Sequence, residues 1–204
     1  MLFSFNVAVA IPKYLLKEYT KFLLLRHPFS RLVAAYWDKM SMAEHNVHYR
    51  HIRQSLIKLL RPEASTKEVL SSHPTFEEFV RAVLNPHWTY HNDRHWRSAV
   101  EMCSPCAIRY DYILYLEKGA LEFEPMLQRL SGGNIDMYNK LSSLVKPANK
   151  KSKLATNQIQ TSRILRDFKN LTSRQIAGVM DKYRIDMQLF GYTFDRETFE
   201  IDLN

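Results

Sequence analysis

The groups best suited to handling an anion lie together in Arg26-His27-Pro28-Phe29-Ser30-Arg31. Pro28 can open a helix at its first turn, with Arg26 before that helix and Arg31 one turn inside it. Guanidinium forks and free amides at a helix start both aim donors at fixed oxygens, the requirement of a phosphate or sulfate site. The competing reading is that each arginine pairs with a surface carboxylate. Histidines form a second set: His87, His91 and His95 recur every four residues, and His45, His48 and His51 every three. The first set could line one helix face as metal ligands do. Pro86 and Asn92-Asp93 argue against a continuous helix there, no His-Glu-x-x-His occurs, and no metal site is assigned. Cys103-x-x-Cys106 is the only cysteine pair, too few ligands for a structural zinc and without a thioredoxin-like strand before it.

These residues need elements to hold them. Thr20 to Leu25 is a short apolar run, suited to a strand buried on both faces and ending at Arg26. Leu32, Ala35, Tyr36 and Lys39 follow Pro28 at helical spacing. Thr75-x-x-Glu78 is a capping box, with Phe76, Phe79, Val80, Val83 and Leu84 as its apolar stripe. Ala107 to Ile113 alternates as a strand does, with Ile108, Tyr110 and Tyr112 on one face. Phe123, Met126, Leu127 and Leu130 predict a helix stopped at Gly132-Gly133, and Thr172-x-x-Gln175 caps a last helix through Tyr183. Helices alternating with short apolar strands predict an α/β fold with a mostly parallel sheet flanked by helices.

With 204 residues, 46% hydrophobic and 25% charged, the chain fits one domain of residues 1–204 with a sizeable core. Disorder and a multispan membrane protein are excluded. The first residues, Leu2 to Ile11, are apolar but span only about 15 Å as helix, where a membrane crossing needs ~20 residues. No signal-peptide pattern marks them, and they predict a buried strand or an incomplete start. The net charge of +8 lies largely in one stretch. Between Met137 and Arg166 stand Lys140, Lys146, Lys150, Lys151, Lys153, Arg163 and Arg166, with no acid. Its serines, asparagines and Pro147 predict a basic loop over 137–166, either simply solvated or gathering anions. Tyr138 is its one aromatic suited to base stacking, and nucleic acid is not expected as a partner.

Three blocks, in order, carry a resemblance. Arg26 to Met40 resembles the Arg-acid-Pro-Phe-x-Arg-Leu-x-Ser-Ala block of the Golgi carbohydrate sulfotransferases, the group containing the HNK-1, chondroitin 4-O and dermatan 4-O enzymes. His95-Trp96 followed by Cys103-Ser104-Pro105-Cys106-Ala107-Ile108-Arg109-Tyr110-Asp111 is similar to a second block, and Tyr183 to Tyr192 to the closing one. The resemblance implies a P-loop-like sulfotransferase core and transfer of a sulfuryl group from 3′-phosphoadenosine 5′-phosphosulfate (PAPS) to a sugar hydroxyl. The acceptor would be a glycan or glycosaminoglycan, and the setting the Golgi lumen or membrane, where a Cys103–Cys106 disulfide is permitted. No membrane contact is expected of this chain itself.

In that family the positions matching Arg26 and Ala34 hold the donor's 3′-phosphate, and Arg31 belongs to the same block. Ala34 stands where the family has serine, so one hydroxyl donor is missing. His27 replaces the usual acid and is expected to place a titratable cation beside Arg26. The family's upstream 5′-phosphosulfate loop is not recognised, since Pro12-Lys13-Tyr14-Leu15 lacks its small residues, and the core is expected to be N-terminally incomplete. That departure and Ala34 keep open a non-catalytic relative that binds a nucleotide or anionic glycan. His95 matches a family position and is the candidate base or acceptor contact, against a structural histidine packed on Trp96. Asn170-Leu171-Thr172 is an N-glycosylation sequon, placing a candidate glycan on Asn170.

Overall fold

The computed structural model describes residues 13–41, 47–145, 164–196, 198 and 201–203. The expected N-terminal strand and the middle of the basic stretch lie outside the described residues. Along the chain run α1 (Lys13–Glu18), β1 (Phe22–Leu25), α2 (Pro28–Ala35), a π-helical turn (Tyr36–Ser41), α3 (Val47–Leu60), α4 (Thr66–Ser71) and α5 (Phe76–Val83). Then come α6 (Ala99–Cys103), β2 (Tyr112–Tyr115), a 3₁₀ segment (Leu116–Phe123), α7 (Glu124–Ser131) and α8 (Ile135–Val145). After a helical segment over residues 164–169 follow α9 (Ser173–Lys182), α10 (Arg184–Phe190), β3 (Tyr192–Phe194) and β4 (Ile201–Leu203). The fold is mixed α/β, as expected. Two compact units divide it: Met1–Arg26 with Ala99–Ile159, and His27–Ser98 with Gln160–Asn204.

The first unit is built on β1 and β2, paired in parallel from Phe22 opposite Tyr112 to Leu25 opposite Tyr115. β1 is not buried on both faces: Leu23 and Leu25 are buried, while Phe22 and Leu24 are exposed. The period-2 pleat decides which side chains turn inward, whatever the hydrophobicity of the run. β2 starts later than the alternation suggested. Residues 107 and 108 close a turn, their amides donating to Ser104 O, and Tyr110 donates its hydroxyl to Cys103 O at 2.7 Å. Leu114, Met126 and Leu127 form the unit's buried cluster, joined by Tyr138 and Leu141 from α8. Gly132 ends α7 in the left-handed region (φ 56°), where glycine carries no Cβ penalty.

That packing corrects the loop expected over 137–166, because residues up to Val145 continue α8. Asn134 Oδ1 accepts from Met137 N near its start, and Tyr138 donates to Glu124 Oε1 at 2.6 Å. Tyr138 and Leu141 are three positions apart on one helix face. The polar residues between them hide that stripe in the sequence.

The second unit packs α2, α3, α5 and α9 around Phe29, Leu32, Phe79, Val80, Trp96 and Phe168, each almost fully buried. Both capping boxes form as expected, at Thr75–Glu78 and Thr172–Gln175. Helical spacing beyond Pro28 continues only as far as Ala35, where the chain widens into the π turn. Tyr36 there donates to Pro74 O and Trp37 Nε1 to Asp167 Oδ2, anchors that hold the wider turn in place. α9 is also not the last helix. Tyr183 closes α9 and opens α10, which ends at Gly191 (φ 70°) and leads into the antiparallel β3–β4 pair.

Candidate functional site

Arg26 is half-buried directly after the carboxyl end of β1 and closes the first unit. The second unit begins with His27, which lies 1% exposed and serves as the N-cap of α2. Its Nδ1 accepts from Phe29 N at 3.1 Å, so the ring proton sits on Nε2 and is donated to Thr193 O at 2.9 Å. The ring also meets Phe29 and Tyr192 edge to face. Burial pushes its pKa down to about 4, only partly opposed by the Thr193 carbonyl. His27 is therefore neutral at physiological pH and adds no cation beside Arg26, contrary to the expectation from the sequence. It caps α2 with a neutral nitrogen and brings no charge to the helix start.

Arg31 follows in the first turn of α2, its amide donating to His27 O. Its side chain is 20% exposed, with Nη2 3.6 Å from Asp186 Oδ2 and the guanidinium carbon 5.8 Å from the Tyr183 ring centre. Asp186, on α10, is buried and accepts from Ser98 Oγ at 2.6 Å. Tyr183 is fixed in turn by donating to Trp96 O at 2.6 Å. Both terminal nitrogens of Arg31 are buried and make no hydrogen bond among the described residues. An ion pair at 3.6 Å with no hydrogen bond leaves most of the guanidinium fork available. Its donors fit a bound oxyanion, which would satisfy what the protein leaves open. Ala34, one turn further along α2, presents only a methyl group.

A second constellation surrounds His95. Its Nδ1 lies 2.8 Å from Asp93 Oδ1 and 2.6 Å from the Tyr49 hydroxyl, and its backbone N–H donates to the same carboxylate oxygen at 2.9 Å. A carboxylate only accepts, so in the neutral imidazole the proton is on Nδ1 and the lone pair on Nε2. Lys39 from the π turn sits 5.2 Å from the Tyr49 ring centre. Trp96, next in sequence, is wholly buried and stacks on Trp88. Its indole therefore fixes the backbone that carries His95, while the His95 side chain turns to Asp93 and Tyr49.

Residues 85–98 form successive turns rather than one helix, so His87, His91 and His95 do not line a common face. His91 instead engages Trp88 O at 2.8 Å. Cys103 and Cys106 are not joined by a disulfide in the structure. Asn170 is exposed, and Thr172 of its sequon is occupied as the cap of α9. Ser98 and Tyr49, far from their partners in sequence, carried no signal. Asp186 had one, its place in the closing Tyr183-x-x-Asp186 block, and Asp93 another, its position two residues before His95.

An α/β chain whose α2 carries a guanidinium with unsatisfied terminal nitrogens has a place where an oxyanion can be held. The chain belongs to the sulfotransferase family, whose profile matches residues 3–193. It is 30% identical over 182 residues to carbohydrate sulfotransferase 11 of Rattus norvegicus, covering 87% of this chain and 48% of that protein. It is 29% identical to carbohydrate sulfotransferase 9 of Homo sapiens, covering 87% and 38%. Carbohydrate sulfotransferase 8 of Mus musculus is 31% identical over 183 residues, covering 87% and 41%. The chain thus spans less than half the length of these curated relatives. No solved structure matches it.

Proposed function

We propose that the chain carries the transfer site of a carbohydrate sulfotransferase, moving a sulfuryl group from PAPS to a sugar hydroxyl of a glycan or glycosaminoglycan. The observation that carries this is Arg31: a buried guanidinium, oriented by Asp186, whose terminal nitrogens make no hydrogen bond within the described residues. The family and the names of its relatives support the choice of sulfate over other anions. PAPS supplies an activated sulfuryl group on a nucleotide that carries further phosphates. Arg31 holds the anionic nucleotide. His95, oriented through Nδ1 by Asp93, takes the acceptor's hydroxyl proton at Nε2 as the sugar oxygen bonds to sulfur. The bond from sulfur to the donor phosphate oxygen breaks, and 3′,5′-adenosine bisphosphate leaves with its electron pair. As in phosphoryl transfer, most of the acceleration then comes from positioning and charge stabilisation.

Residues 1–204 are read as one sulfotransferase-like domain acting in the Golgi lumen, with Asn170 its exposed glycosylation site. Among the described residues, no helix is long and apolar enough to cross a membrane. One observation favours a second reading, of a binding protein without turnover: Ala34 removes a hydroxyl, and a lost hydrogen bond to a charged group costs about 1.5–3 kcal/mol. Calorimetry with 3′,5′-adenosine bisphosphate, run beside transfer from labelled PAPS to desulfated chondroitin or dermatan, tests both. Binding with transfer supports the enzyme, and binding without transfer the second reading. Nucleotide affinity unchanged by Arg31→Ala would refute the site itself.

A further inference from the structure

The first unit holds a polar cavity of about 490 Å³ that plays no part in the chemistry above. Lys17, Glu18 and Tyr19 line it from the end of α1, Arg109 and Asp111 from the segment before β2, and Arg129 from α7. Lys21 and Asp111 immediately precede β1 and β2, so the cavity sits at the amino ends of the parallel pair. Arg26 follows the other end of β1. Arg26 stands five positions beyond Lys21, roughly 16 Å at strand rise. Ligands of open α/β sheets sit at the carboxyl ends of the strands, so this cavity is a separate place.

Its charges are unevenly spent. Lys21 is committed, its Nζ 2.9 Å from Asp111 Oδ2 and its backbone N–H donating to the same oxygen at 2.7 Å. Lys17, Arg109 and Arg129 are exposed and make no ion pair and no side-chain hydrogen bond among the described residues. Three cations from three segments, none in an ion pair or side-chain hydrogen bond among the described residues, thus line one concavity, Arg129 also acting on Asp111 through its field. Between them stand acceptor carboxylates, Glu18 and Asp111, and Tyr19 beside them is 63% exposed.

We infer that this cavity is a second binding site, for a sulfate- or carboxylate-bearing oligosaccharide. The mixture of groups selects that class. Cations alone would suit any polyanion, but acceptor carboxylates beside them favour a ligand that carries hydroxyl donors between its charges. A phosphodiester backbone has few such donors to offset the repulsion that any anionic ligand meets at Glu18 and Asp111. An exposed tyrosine offers a flat face to a sugar ring. The inference rests on the carbohydrate reading above and deepens it: the site would add contacts to charged chain, and so select long acceptors over short ones.

The test uses the full chain and a heparin-derived hexasaccharide as probe, measured by calorimetry in 0.15 M salt. Arg109→Ala/Arg129→Ala is expected to weaken hexasaccharide binding tenfold or more and to leave 3′,5′-adenosine bisphosphate affinity unchanged. Lys17→Ala, on a different element, is expected to weaken it several-fold. A smaller loss in the double variant, or equal binding of a neutral hexasaccharide to the unaltered chain, overturns the site. Tighter binding of a single-stranded oligonucleotide of equal charge overturns the ligand class. Failure of nucleotide binding in the unaltered chain would count against the sulfotransferase reading, and hexasaccharide binding is scored independently of it.

Discussion

His27 makes stability depend on pH in a window that few other groups share. Its pKa falls from 6.5 to about 4 on folding, because charging the ring inside the Phe29–Tyr192 packing would strip it of water. The unfolded chain therefore binds the proton more readily. Stability from this group is complete above pH 6.5 and is lost as pH falls toward 4. At pH 7 only about a quarter of unfolded chains carry the proton, whereas at pH 5 nearly all do, against about a tenth of folded ones. The difference amounts to about 2 kcal/mol between those two pH values, at about 1.4 kcal/mol per pKa unit. Glu78 is held below the usual carboxylate range chiefly by its hydrogen bonds from Arg61, so its stabilising contribution is lost at lower pH. Urea unfolding at pH 7 and pH 5, on the natural chain and His27→Asn, isolates the effect. Asparagine retains an N-cap for α2 but cannot titrate. The variant is expected to be about 1 kcal/mol weaker at pH 7, from the lost Thr193 contact, and to lack the extra loss of about 2 kcal/mol at pH 5. Equal pH dependence in both chains, or a His27 NMR titration near 6.5, would refute the assignment.

Three further outcomes follow from the site. Asp186→Asn is expected to destabilise by about 2 kcal/mol, because the Ser98 hydroxyl loses a charged acceptor and Arg31 its counter-ion; calorimetry should also show weakened 3′,5′-adenosine bisphosphate binding. His95→Asn should lower the transfer rate by about 10²–10⁴-fold at unchanged nucleotide affinity, the range for a general base, with Tyr49→Phe giving a smaller loss in the same assay. Ala34→Ser should place a hydroxyl at a half-buried position of α2 and tighten nucleotide binding by about tenfold, read by the same titration.

The sequence revealed the features whose cause is local. Pro28 at N1, the Thr75–Glu78 and Thr172–Gln175 boxes and the left-handed Gly132 are each decided within a few residues, and each forms where its signature stands. The mistakes arose where contacts outside the local pattern, some near and some distant in the chain, decided the outcome. Tyr138 and Leu141 become a helix face only because Leu114, Met126 and Leu127 supply a surface for it. The stretch before β2 alternates like a strand, yet the Cys103 and Ser104 carbonyls draw it into a turn. His27 is the sharpest case. Its type announced a cation, and only Thr193, 166 positions on, together with the Tyr192 ring, makes it a neutral cap.

The same dependence explains why one arginine could be nominated from sequence while its setting could not. Arg31 is legible because helix spacing puts it one turn inside α2. Its usefulness depends on Asp186 and Tyr183 from the far end of the chain, and on Ser98 and Trp96 from the middle. A guanidinium paired bidentately with Asp186 would have been spent. At 3.6 Å and without a hydrogen bond it is attracted but not satisfied. Ser98 contributes to that state, because its hydroxyl takes one oxygen of Asp186 and leaves the arginine to the other. An oriented, under-bonded cation loses little on meeting an oxyanion and gains hydrogen bonds it lacked, which is what reversible binding of an oxyanion requires.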